Sequence, residues 1–62
     1  MRGRRYVVRG VPGGWRIWDN HLRRWWGDHY EVQPDELAAA LNRRADYEQI
    51  TALLKKYRAL KR

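Results

Sequence analysis

The chain has no cysteine, no serine and a single threonine, Thr51, among its 62 residues. Without cysteine there is no disulfide staple and no Cys/His spacing for a structural zinc, so packing or a partner has to hold the fold. The missing hydroxyls and thiols leave almost no nucleophile, and a chain this short has little room to wall off a pocket. His21 falls in a predicted turn. Asp28, His29 and Glu31 cluster nearby in sequence, but strand alternation sends Asp28 and His29 to opposite sides, which spoils a shared metal site. The expectation is therefore a protein that is not an enzyme and takes no cofactor and no metal. No apolar run approaches the roughly 20 residues that cross a bilayer, so no membrane partner is expected. The opening Met-Arg-Gly-Arg-Arg lacks the apolar stretch of a secretion signal. A cysteine-free, leaderless chain is expected in the cytoplasm.

What the chain does have is positive charge and tryptophan. Lys and Arg number 14 against 7 acids, a net charge of +7 with a pI near 10.6. In one small domain spanning residues 1–62, that balance implies an anionic partner or a strongly solvated surface. The charge is polarised: residues 1–32 hold seven Arg and three acids, 33–54 two Arg and four acids, and 55–62 five bases and no acid. All four tryptophans lie in one stretch, WRIWDNHLRRWWGD, from Trp15 to Asp28, interleaved with Arg16, Arg23 and Arg24.

The residue pattern predicts an α+β fold of order β-β-β-α-α, a three-stranded antiparallel meander packed on one face by C-terminal helices. Arg5–Val11 is β-branched and aromatic and stops at Pro12-Gly13-Gly14, a turn signal. Trp15–Trp18 reads as a second strand, Asp19-Asn20 opens a turn, and Arg24–Val32 reads as a third. The sheet thus spans about residues 5–32 and the helical part 33–62. Pro34 suits a first helical position with Asp35 and Glu36 behind it, where the macrodipole favours acids, and the helix should run to about Asn42. Asp46 followed by Gln49 resembles a capping box that starts another. Tyr47, Ile50, Leu53, Leu54, Tyr57 and Leu60 then recur at three- and four-residue steps, a stripe opposite the bases of the helix.

Alternation along strands divides the tryptophans. With turns of even length, Tyr6, Val8, Trp15, Ile17, Trp26, Tyr30 and Val32 share one face; Arg5, Val7, Arg9, Val11, Arg16, Trp18, Arg23, Trp25, His29 and Glu31 share the other. The first set is apolar and should receive the helices through Leu37, Leu41, Ile50, Leu54 and Tyr57. The second carries arginines around Trp18 and Trp25, with no residues left over to cover it. Such a face can be inert, its arginine stems and indoles covering one another. It can dock a larger protein or a second copy, since Trp, Tyr and Arg are enriched at interface hot spots. It can also bind nucleic acid, with guanidiniums on phosphates or guanine edges and indoles on sugars and bases.

At the ends, Arg2, Arg4 and Arg5 around Gly3 read as a basic arm, flexible over residues 1–4, suited to a narrow minor groove or simply solvated. Lys55, Lys56 and Arg58, in the run KKYRALKR, can add phosphate contacts, while Tyr57 and Leu60 on the opposite side can pack on the domain or form a dimer seam.

Several short stretches resemble the AP2-type DNA-binding domain and the related amino-terminal arm-binding domains of phage and transposon integrases. Tyr6-Val7-Val8-Arg9-Gly10-Val11 is similar to the YRGVR strand of that family. Ile17-Trp18-Asp19 matches its inward Ile, outward base-contacting residue and turn-opening Asp. Arg23-Arg24-Trp25-Trp26-Gly27 resembles its RxWLG strand, and Asp35-Glu36-Leu37-Ala38-Ala39-Ala40-Leu41 its EEAAxAY helix. The resemblance covers roughly residues 6–41; the first loop is shorter here, the RPWG segment is absent, Arg16 replaces a usual acid, and a second helix follows. It implies DNA-facing positions at Arg9, Arg16, Trp18, Arg23 and Trp25 and a core position at Trp26. The resulting expectation is a small accessory or regulatory protein, encoded by a phage or mobile element as its size and resemblance imply, that binds duplex DNA as a monomer or weak homodimer. Its expected contacts are Arg5, Arg9, Arg16, Trp18, Arg23, Trp25, Lys55, Lys56 and Arg58. The alternatives are a module that modulates a larger host protein, or single-stranded RNA binding by stacking on Trp18 and Trp25.

Overall fold

A computed structural model describes residues 3–60. Three antiparallel strands, β1 (Tyr6–Val11), β2 (Gly14–Asp19) and β3 (Arg24–Tyr30), form one open sheet in the order β1-β2-β3, and α1 (Asp35–Asn42) and α2 (Tyr47–Ala59) follow. Both hairpin loops have even length. Pro12-Gly13 joins β1 to β2, with Val11 opposite Gly14. Proline presets the first turn position and Gly13, at φ +86°, takes the left-handed one that a type II turn requires. Asn20–Arg23 joins β2 to β3, with Asp19 opposite Arg24.

The second loop is organised by Asp19, whose side chain is almost wholly buried. One carboxylate oxygen accepts from the backbone N–H of His21 and of Leu22, at 2.9 and 3.2 Å, the local pattern that makes aspartate a turn former. The same carboxylate receives both Nε and NH2 of Arg5, at 2.9 and 3.0 Å. Arg5 holds Asp19 down to about 2, with the Leu22 and His21 N–H groups adding to the effect and burial opposing it. The loop closes with the Arg23 N–H donating to the Asp19 carbonyl at 2.8 Å, which puts Arg23 at φ +59°.

Strand β3 carries an irregularity. Ile17 faces Trp26 but Trp15 faces Tyr30, so β3 uses four residues where β2 uses two. Gly27 absorbs the distortion at φ +73°, where a Cβ would stand 2.9 Å from the Tyr30 hydroxyl. Because the insertion is even, Trp26 and Tyr30 stay on the same side of the sheet.

That side is the core. Ile17, Tyr30, Leu37, Ala38 and Tyr57 are buried together, with Tyr6, Val8, Trp26, Val32, Leu41, Ile50, Leu53 and Leu54 packed against them. Each fully buried large side chain contributes about 1.5–3 kcal/mol by leaving water. Rings meet edge-on at Tyr30–Tyr57 and Tyr6–Trp26, both with centroids 6.3 Å apart. Asn42, at the end of α1, accepts from the Tyr6 N–H and donates to the Tyr6 carbonyl, both at 2.9 Å, tying the helix to the open edge of β1.

One expected core position differs, and the ends of the α2 stripe stay exposed. Trp15 is half-buried and stands outside the buried cluster, between Gly10 of β1 and Tyr30 of β3. Tyr47, the first residue of α2, is 86% exposed, and Leu60 caps the other end at 40%, while Ile50, Leu53, Leu54 and Tyr57 of the stripe reach the core. Pro34 takes the N-cap position rather than the first helical one, without a side-chain cap. Asp46 does cap α2, accepting from the Gln49 N–H at 2.9 Å.

Helix α1 ends in a Schellman motif: the Ala45 N–H donates to the Ala40 carbonyl at 3.0 Å and the Arg44 N–H to the Leu41 carbonyl at 3.2 Å. The left-handed residue of that motif, ordinarily glycine, is Arg44 at φ +59°. A left-handed conformation costs a side-chain-bearing residue about 1 kcal/mol.

Candidate nucleic-acid interface

The face of the sheet away from the helices is built by register alone. Val7 pairs with Trp18, Arg9 with Arg16, and Trp18 with Trp25, so these side chains share one surface. No acid occupies a strand position on it. The ion pairs among the described residues use Arg5, Lys56 and Arg58, and none uses Arg9, Arg16 or Arg23. Arg9 and Arg16 are in register on neighbouring strands, and the Arg16 side chain turns toward β3.

The indoles and one guanidinium form a stack. Trp18 and Trp25 meet edge-to-face with centroids 5.1 Å apart and planes at 82°. The Arg16 guanidinium lies 4.9 Å from the Trp25 ring centroid, a cation–π distance, and donates to the Gly27 carbonyl at 3.3 Å. Its Nε is buried with no hydrogen-bond partner. The β3 irregularity thus serves the outer face as well, since the carbonyl it exposes fixes Arg16. Trp25 remains 37% exposed.

Beside the stack, a shallow recess of about 500 Å³ is lined by Arg9, Trp18, Asn20, Arg23 and Trp25. Four of these five were expected from alternation. Arg23 reaches the recess from its left-handed loop position rather than from a strand. Asn20, which the sequence marks only as a turn residue, lines it too, carried there by the loop that Asp19 opens.

Other expected contacts stand elsewhere. Arg5 does not join the face, because its guanidinium is turned onto Asp19, which lies on the opposite side with Tyr6. Lys55, Lys56 and Arg58 are on α2, in the layer behind the sheet. Lys56 pairs with Glu36 at 2.7 Å, which lowers the Glu36 carboxyl and raises the lysine, and Arg58 pairs with Asp28 at 3.2 Å. Arg4 is held at the β2–β3 loop, its carbonyl accepting from Asn20 Nδ2 at 3.0 Å. The arm residues Met1 and Arg2, and the basic Lys61 and Arg62, lie outside the described residues.

Among the described residues no three His, Cys, Asp or Glu side chains are grouped to hold a metal, and no helix is long and apolar enough to cross a membrane. Set against known protein families, curated proteins and solved structures, the chain matches none of them.

Proposed function

We propose that the protein binds nucleic acid, and duplex DNA in particular, through the outer face of its sheet, as an accessory or regulatory factor without catalysis of its own. One observation carries this reading: Arg9 and Arg16 stand directly opposite one another on a face with no acid at its strand positions, beside a preorganised Trp18–Trp25 pair. A phosphate on this face accepts charge-assisted contacts from both arginines. Arg9 and Arg23 bind backbone or base edges, Arg16 presents a guanidinium already fixed by Trp25 and Gly27, and the indoles pack on sugars. The likeness of residues 6–41 to AP2-type domains points the same way.

The indole geometry favours a duplex over an unpaired strand. Two rings leaning edge-to-face, one of them covered by a guanidinium, do not offer the pair of open flat platforms on which unstacked bases lie.

Titration of a labelled duplex across stepped salt, followed by anisotropy, tests the proposal. Three outer-face arginines that each neutralise one phosphate give a slope of log affinity against log salt near about −3. A flat slope overturns it. A preference for unstructured RNA, or a complex from lysate that survives nuclease and moderate salt, would also overturn it, in favour of single-strand or protein binding.

A further inference from the structure

At the end of the sheet, between the β2–β3 loop and the α1–α2 turn, lies a second cleft, of about 540 Å³. Arg4, Arg5, His21, Asn42 and Arg44 line it together with apolar groups, and no acid does. Arg5 is committed to Asp19, so the basic side chains of the lining without a partner in an ion pair among the described residues are those of Arg4, Arg44 and His21. The walls are tied together. Asn20 holds the Arg4 and Arg5 carbonyls, at 3.0 and 2.7 Å, and Asn42 holds the backbone of Tyr6.

Backbone conformation adds an independent observation. Among the described residues the non-glycine positions with positive φ are Arg23 and Arg44, both at +59°. Glycine or asparagine would fill either turn with less strain, the more so at Arg44, which closes a Schellman motif. Arg23 lines the recess of the outer face and Arg44 lines this cleft. A smaller hollow lined by Arg4, Arg5, Asn20 and His21 lies between the two and shares residues with each.

We infer that the cleft of Arg4, His21 and Arg44 is a binding site for a phosphate group. The two guanidiniums supply charge and paired N–H donors, and His21 a third donor, in an opening wide enough for a phosphate with its attached ester. Assignment of that phosphate to the bound duplex rests on the reading proposed above: the backbone then continues from the outer face around the loop end of the sheet. The site itself rests on the cleft alone and equally accepts a free phosphorylated anion.

The test uses the full chain and its Arg44→Gly variant. Glycine removes the charge while relieving the backbone, so the variant is expected to melt at the same temperature as the parent or higher. In two-dimensional amide NMR, inorganic phosphate should shift the signals of His21, Arg44 and Ala45 saturably in the parent, with about tenfold weaker binding in R44G. Absence of saturable shifts, or equal binding by the two proteins, overturns the site whether or not the protein binds DNA. A duplex titration then identifies the source of the phosphate. A salt slope shallower by about 1 in R44G assigns a phosphodiester; an unchanged slope alongside intact phosphate binding overturns that assignment and leaves a free phosphorylated anion as the ligand.

Discussion

Trp25 and Trp26 are consecutive residues of β3 with opposite fates. Trp26 faces the helices, packs on the buried cluster and meets Tyr6 edge-on; Trp25 faces away, leans on Trp18 and carries the Arg16 guanidinium. The inner face is closed by its own chain. The outer one sets two tryptophans among arginines and Val7, with the Arg16 guanidinium on Trp25 in place of a second layer. The difference teaches that what separates the two is the layer above the ring: the packed core for Trp26, the guanidinium of Arg16 for Trp25.

The largest expected effect breaks the inner side. Trp26→Ala should cost about 3 kcal/mol in urea unfolding, the usual range for a large aromatic in a core; a cost under 1 would mean the faces are assigned the wrong way round. Gly27→Ala comes next, with an expected loss of about 1–2 kcal/mol, from a left-handed φ and from a Cβ that must displace the Tyr30 hydroxyl. Because Gly27 also offers the carbonyl that fixes Arg16, this variant should weaken duplex binding as well as folding. If only one of the two changed, the outer stack would be independent of the β3 irregularity.

Asp19 links the sheet to the loop that carries Arg23. Its carboxyl is lower in the folded state than in the unfolded chain, so the stability it contributes is fully present above the ordinary carboxylate range and is lost as pH falls through about 2. The melting temperature of the parent should therefore exceed that of Asp19→Asn at pH 7, with the gap narrowing as pH drops from about 4 towards 2. A gap independent of pH would show that the ionised pair with Arg5 contributes nothing.

The smaller effects sharpen the outer side. Trp25→Ala should cost about 1 kcal/mol of stability, the ring pair and the cation–π contact, yet clearly weaken duplex binding; unchanged affinity would remove the indole from the interface. Arg9→Gln should lower duplex affinity by about tenfold. Lys56→Gln, in the layer behind the sheet, should leave it within about twofold. Equal losses from these two would move the interface to the helices.

The order of elements, the division of the strands into two chemically unlike faces and the cap at Asp46 were legible in the residues, because a strand alternates with period two and a capping aspartate acts within three residues of itself. The same alternation put Arg9, Trp18 and Trp25 on one face without any knowledge of the fold, and Arg23 joins them from the loop. It could not see Arg5 leave that face. Strand parity places a Cβ, whereas a long guanidinium at a strand end goes to the strongest acceptor within reach, and Asp19 becomes one only when the hairpin closes. Trp15 shows the same limit: parity put it on the inner side, but whether a helix reaches it depends on where α1 and α2 end.

By itself, then, the sequence determined the two-sided sheet, its charge and its helical backing, all consequences of local periodicity. The tertiary structure alone decided which arginines stay available to an outside anion and which are spent on the fold. It also brought Arg4, His21 and Arg44, drawn from three separate segments, around one cleft, because that proximity depends on how the loops meet once the core has formed.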